Sequence, residues 1–204
     1  MKKIITISRE YGSGGRIIGE LLSKELDIPF YDKELIDLAV EKSGYCREII
    51  EKAELKAKSS LAYSLSAALG FGDNAGNSLS VNDRLFLAQF KVIREVAEKG
   101  DCVIIGRCAD YVLRDIPGVT NVFIYGETED RIKRAVEKYG DDASQAENII
   151  ATYDKARKNY YEYHTGLSWG ECKNFNLTIN SSYITEEKAA HIIAEYVEHR
   201  TYRD

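Results

Sequence analysis

Near its start the chain passes from a β-branched run, Ile4-Ile5-Thr6-Ile7, through a glycine-rich turn, Gly12-Ser13-Gly14-Gly15, straight into an amphipathic segment. Residues 16–26 carry Ile17, Ile18, Leu21, Leu22 and Leu26, spaced as one stripe along a helix. A strand, a glycine loop and a helix in this order aim several backbone N–H groups and the positive end of the helix dipole at one point, which suits a phosphate. Glycine is needed there because side chains would block close approach and because such nests require backbone angles that other residues resist. Gly12, Ser13, Gly14 and Gly15 are therefore the first binding candidates.

The rest of the chain repeats the alternation of strand and helix. Pro29-Phe30-Tyr31 reads as a short second strand, with Asp32 capping a helix over DKELIDLAVEKSG. Residues 45–70 are helical in pattern, and 70–80 are a loop by their glycine and asparagine content. A strong helix follows over 82–99, with Asn82 as its cap and Gly100 as its stop. Cys102–Ile105 and Val119–Ile124 read as buried strands flanking a short helix. The segment EDRIKRAVEKYG, a long helix over about 145–164, a strand over Phe175–Ile179 and a helix over 186–200 complete the order. Five apolar strands alternating with helices, without hairpin signals, predict an α/β doubly wound fold whose parallel sheet is covered on both faces. No repeat or linker divides the chain, so one domain is expected, with subdomain inserts at 44–80 and roughly 139–170.

Composition narrows the partners. Against 33 Asp and Glu stand 28 Lys and Arg, a net charge of −5, so no bulk positive field exists to hold nucleic acid. The four cysteines form no CxxC pair, which fits a reducing cytoplasm. The N-terminal apolar run is too short for a signal peptide and far short of the roughly 20 residues that span a bilayer, so no membrane association is expected. The three histidines lack ligand spacing, and no protein-built metal site is expected. Tyr160, Tyr161, Tyr163 and Trp169 crowd the end of the long helix, which indicates packing against a core or a partner. Among 14 tyrosines there is also material for a homo-oligomer surface.

Laid on the phosphate-loop pattern G-x-x-x-x-G-K-[ST], the sequence puts Arg9 at the first glycine and Gly15 at the lysine. Arg16, one place later, is the candidate cation for the β and γ phosphates, although a planar fork does not replace a point charge directly. Ile17 follows with no hydroxyl to offer Mg²⁺, so no protein ligand for the metal is assigned.

The blocks ITISREYGSGGRIIG, PFYDKELI, VIIGRCADYVL, FIYGETEDRIKRA and DKARKNYYEYHTGLSWG together resemble the cytidylate kinase-like family of P-loop proteins, over nearly the whole chain. The resemblance implies a nucleoside monophosphate kinase architecture: a five-stranded parallel core, a monophosphate-binding insert over about 32–80 and a lid over about 139–170. It implies ATP as donor, Mg²⁺ as cofactor, and small nucleotides as partners. Asp32 stands where the kinases carry an aspartate facing the transferring phosphate and its metal. Arg107 matches an arginine that contacts the acceptor monophosphate, and Arg94 resembles another, although Glu98 lies four residues on as an alternative partner. Arg131 and Arg134 resemble donor-nucleotide arginines, while Lys155, Arg157 and Lys158 form a basic patch placed to act as catalytic lid cations. Cys108 occupies the place of an aspartate that helps recognise cytosine, so selectivity for that base is not expected. The retained charges favour a kinase acting on a nucleoside monophosphate or similar small acceptor. The missing lysine favours the alternative, a weak or inactive nucleotide-binding regulatory protein.

Overall fold

The computed structural model describes residues 2–32 and 80–201. Five strands form one sheet: β1 (Ile4–Arg9), β2 (Phe30–Tyr31), β3 (Cys102–Ile105), β4 (Val119–Tyr125) and β5 (Leu177–Asn180). Their order is β2-β3-β1-β4-β5, and every pairing is parallel. The helices are α1 (Gly15–Leu26), α2 (Val81–Lys99), α3 (Ala109–Val112), α4 (Thr128–Tyr139), α5 (Ala146–Thr165) and α6 (Glu186–His199). The expected doubly wound architecture is therefore present.

The two-residue period of a strand sends alternate side chains to opposite faces, and each face meets its own helices. Ile5 and Ile7 of β1, with Val103, Ile105, Val122 and Ile124, pack against Ile18 and Leu22 of α1 and Ile193 of α6. On the other face Ile4, Cys102 and Ile104 pack against Val92, Ile93 and Val96 of α2 and Val112 of α3. Burying each such side chain contributes about 1.5–3 kcal/mol before entropy is charged against it. Because β1, β3 and β4 carry apolar residues at positions of both faces, the covered sheet follows from the sequence, and it holds the C-terminal ends of these three strands side by side.

Three local expectations change. The cap of α2 is Ser80, whose hydroxyl oxygen accepts from Asp83 N at 3.1 Å, whereas Asn82 already lies inside the first turn. β5 starts at Leu177 rather than Phe175, because a 3₁₀ turn over Cys172–Asn174 turns the Phe175 ring onto Phe123, with centroids 5.1 Å apart. Arg94 pairs with Asp115 at 3.0 Å instead of Glu98. The helix that Asp32 would cap, the helical pattern of 45–70 and the loop that follows lie outside the described residues. No helix among the described residues is long and apolar enough to cross a membrane.

The aromatic crowd at the end of α5 is packing. The Tyr161 hydroxyl donates to Asp110 at 2.6 Å, Tyr160 donates to Gln89 at 2.9 Å, and Trp169 meets Phe123 edge to face. His164 stacks on Phe86 of α2 with centroids 4.0 Å apart, so α2 and α5 are joined through an imidazole. Burial lowers its pKa from 6.5 to about 4, against the pull of Asp83. A histidine with a depressed folded pKa leaves the unfolded chain holding more protons between the two values, so its contribution is lost as pH falls from about 6.5 to about 4. We expect His164→Phe to narrow the stability gap between pH 7 and pH 5 by about 1–2 kcal/mol in urea unfolding. A gap identical to that of the wild type would mean that this imidazole titrates alike in both states.

Candidate functional site

The glycine loop leaves the C-terminal end of β1 between the ends of β3 and β4, the edge at which parallel sheets place ligands. Gly12 and Gly14 have φ of 76° and 78°, the left-handed region that favours glycine. A Cβ on Gly12 would stand 2.5 Å from the Arg131 carbonyl oxygen, so space as well as backbone angle demands glycine there. Gly14 is the N-cap of α1 and supplies no side-chain cap, leaving the first-turn N–H groups to a ligand or water. Ser13 is buried, and its hydroxyl donates to the Glu10 carbonyl at 2.9 Å, which ties the loop to itself.

Three arginines satisfy the carbonyls that this loop turns into the protein. Arg157 Nη1 donates to Arg9 O at 2.9 Å, Arg131 Nε to Tyr11 O at 2.7 Å, and Arg134 Nη1 to Gly12 O at 2.7 Å. In a trans peptide the N–H points opposite the C=O, so the N–H groups of Gly12 and Ser13 face away from these arginines. The cations are held in turn: Arg131 pairs with Glu10 at 3.1 Å and with Asp154, and Arg134 with Glu186 at 3.1 Å. Asp154 also accepts from Tyr11 N at 2.7 Å, while the Tyr11 ring stacks on Tyr153 and its hydroxyl donates to Asp141. Burial pushes the Glu10 carboxyl up, against the pull of Arg131. The sequence placed Arg131, Arg134 and Arg157 on a donor nucleotide or a lid. In the structure their hydrogen bonds go to the loop, and only 6% of Arg131 is exposed.

The mouth of the site gathers the other charges. Arg16, exposed at the start of α1, pairs with Glu20 at 2.6 Å and with Asp32 at 3.0 Å. Gly106, Arg107 and Cys108 have φ of 70°, 56° and 54°, three successive left-handed residues at the end of β3. For Arg107 and Cys108 that conformation costs on the order of 1–3 kcal/mol each, strain of the kind that collects at binding sites. The Arg9 guanidinium joins these groups: a Cβ on Gly106 would stand 2.2 Å from its Nη1. Burial and the nearby Arg157 and Arg107 lower its pKa from 12.5 to about 9, against the pull of Asp32. Cys108 is buried with its thiol pKa raised, and burial also raises the pKa of Asp110.

Two candidates stand apart from this group. Arg94 donates to Val112 O at 3.3 Å and to Asp115, with its guanidinium over the Phe90 ring, and makes no hydrogen bond to the loop. Lys155 is an exposed side chain of α5. Arg9, Tyr11, Asp154 and Asp141 were not among the sequence candidates. The signal available for Arg9 was its place at the first position of the loop pattern; the carboxylates carried none, because they reach the loop from more than 100 residues away. Among the described residues no cluster of three or more His, Cys, Asp or Glu side chains could hold a metal. Asp32 is a single half-buried carboxylate at the mouth, which fits Mg²⁺ arriving with its phosphate and water ligands.

The buried pairs of Arg131 make its removal costly. Arg131→Ala should destabilise the fold by about 3–5 kcal/mol in denaturant titration, because Glu10 and Asp154 lose their cation. Lys155→Ala should stay within about 0.5 kcal/mol of wild type.

The sequence pattern of the cytidylate kinase-like family matches residues 4–183. A cytidylate kinase from Staphylothermus marinus is 30% identical over 106 residues, 51% of this chain, and the match spans 58% of that enzyme's length. Among solved structures, an uncharacterized protein from Eubacterium ventriosum aligns over 98% of this chain and 100% of its own, at 28% identity and a TM-score of 0.72. Shikimate kinase from Bacteroides thetaiotaomicron shares the fold over 97% and 99% of the two chains, at 15% identity and a TM-score of 0.55. With its five parallel strands in a P-loop kinase fold, the chain belongs to the cytidylate kinase-like family.

Proposed function

We propose that this protein transfers the γ-phosphoryl group of ATP to a nucleoside monophosphate or a similar small acceptor. One observation carries the reading: a glycine-built, uncapped helix N-terminus opens beside Arg16, Asp32 and Arg107, contributed by the start of α1 and the ends of β2 and β3. Phosphoryl transfer needs little from a protein beyond positioning and charge stabilisation, and this arrangement offers both. The loop Gly12, Ser13, Gly14 and Gly15 binds the donor phosphates through the N–H groups of its glycines and of the first turn of α1, with Arg16 beside them, while Ser13 N donates to Glu10 O at 3.5 Å. Arg107, fixed by its left-handed turn, takes the acceptor phosphate. Mg²⁺, when bound with the nucleotide, neutralises charge between the phosphates, and Asp32 is the residue that would hold it. An open cleft of about 470 Å³ lined by Arg134, Lys138, Ser181, Tyr183 and Glu186 adjoins the loop and has room for the donor nucleoside. Lys155 is exposed on the proposed lid and free to approach on closure, while Arg157 positions the loop from beneath.

The reading carries a setting with it. Its partners are small nucleotides, not nucleic acid or membrane, and its three described cysteines are free thiols, in keeping with a reducing cytoplasm. Base selectivity in such a site depends on buried polar groups that the wrong base leaves unmatched. Cys108, buried and apolar in character, is a poor substitute for a carboxylate.

A coupled ADP-release assay with MgATP and CMP, UMP or AMP tests the proposal. Turnover is expected, with a preference for CMP over the others below about a thousandfold, roughly 4 kcal/mol. A second reading, a nucleotide-sensing regulator, is favoured by Gly15 standing at the lysine position. ATP binding without turnover of any acceptor would select it.

A further inference from the structure

We propose that the Arg9 guanidinium is the phosphate-binding cation of the loop, carrying from its first position the charge that the standard pattern carries at position 15. The inference rests on the phosphate-binding part of the proposed function and names the residue that replaces the absent lysine.

The exchange is visible in the packing. Relative to the pattern G-x-x-x-x-G-K-[ST], arginine stands where glycine is expected and glycine where lysine is expected. The two changes touch in space: a Cβ on Gly15 would stand 2.7 Å from Arg9 Cβ and 3.1 Å from Arg9 Cγ. The Arg9 side chain therefore runs across Gly15, and a side chain at 15 is incompatible with arginine at 9 in this position. Gly106 clears the other end, since a Cβ there would stand 2.2 Å from Arg9 Nη1 and 3.3 Å from Cζ. The guanidinium thus reaches from the glycine loop to the turn that carries Arg107.

Its charge environment calls for an anion. Among the described residues its charged neighbours are Arg157, Arg107 and Asp32, two cations against one carboxylate, and that carboxylate is already paired with Arg16. Among the described residues the Arg9 guanidinium donates no hydrogen bond. A half-buried guanidinium whose described charged neighbours are mostly cations is held at a cost, and a phosphate at the loop mouth supplies both the charge and the acceptors. Arginine suits the task because its planar fork can donate to two phosphate oxygens at once. Arg157 holds the Arg9 carbonyl at 2.9 Å and Glu10 N donates to Ile124 O at 3.0 Å, so the backbone on which the fork turns is fixed.

Calorimetric titration of ATP and of inorganic tripolyphosphate into wild type, Arg9→Ala, Arg9→Gln, Gly15→Lys and the double variant Arg9→Gly/Gly15→Lys tests the exchange. Arg9→Ala and Arg9→Gln should each weaken both ligands by about 30-fold or more, equivalent to about 2 kcal/mol. Gly15→Lys alone should also weaken binding, by displacing Arg9, and the double variant should return to within about fivefold of wild type. Melting curves read the same ligands independently: tripolyphosphate should raise the wild-type midpoint and leave that of Arg9→Gln in place. Arg9→Gln keeps most of the side-chain length, so it carries the test if Arg9→Ala does not fold. Affinities of folded Arg9 variants within about threefold of wild type would overturn the inference while leaving the kinase reading standing. A wild type that binds neither ligand would overturn both. Lost binding in the Arg9 variants, with restoration in the double variant but no turnover of any acceptor, would uphold the inference and sink the kinase reading.

Discussion

Everything at this site depends on how the loop's carbonyl oxygens are satisfied. A loop that presents N–H groups to an anion must turn carbonyls the other way, into the protein, where each needs a donor. Arg131 and Arg134 of α4 and Arg157 of α5 supply those donors to Tyr11, Gly12 and Arg9. Arg131 and Arg134 are anchored by Glu10, Asp154 and Glu186, so the loop is braced by charge-assisted bonds from two helices and from the first turn of a third. N–H groups held in place in this way need no rearrangement to meet an anion, which is the physical basis of the proposed phosphate site.

This bracing explains why a cation-rich site sits in a protein of net charge −5. The site's positive groups gather at the ends of β1 and β3, at the start of α1 and on α4 and α5, and carboxylates from distant segments balance those turned toward the loop backbone. Among the described residues the guanidinium of Arg9, next to the strained turn at Gly106–Cys108, has two cations and only the shared carboxylate of Asp32 as charged neighbours. Strain and uncompensated charge in one place are costs that a ligand relieves, and they coincide here with the point that the glycine loop already marks.

The sheet was legible because its signal is local and repeated. Ile4 to Ile7, Cys102 to Ile105 and Val119 to Ile124 are mostly apolar and β-branched, broken only by Thr6, Thr120 and Asn121, as suits strands buried on both faces. Boundaries were less legible: Ser80 displaced Asn82 as the cap of α2, and Phe175 left β5 for a ring contact with Phe123, both decided by geometry that propensity does not encode. Arg94 was assigned by position in a motif, and the structure holds it on Asp115, an exposed carboxylate with no motif of its own.

The glycine loop, its place after the first strand, and the residue types at positions 9, 15, 16, 32 and 107 are determined by the sequence alone, since covalent order and backbone conformational preference suffice to read them. Which of the arginines brace the loop and which stand at its mouth was decided only by tertiary structure. A guanidinium sits at the end of a long side chain, and its partner is set by which carbonyls and carboxylates the packing of distant helices brings within about 3 Å. Arg131 and Arg134 lie three residues apart on one helix and look alike in sequence. Only the fold places Tyr11 O and Asp154 around the first, and Gly12 O and Glu186 around the second.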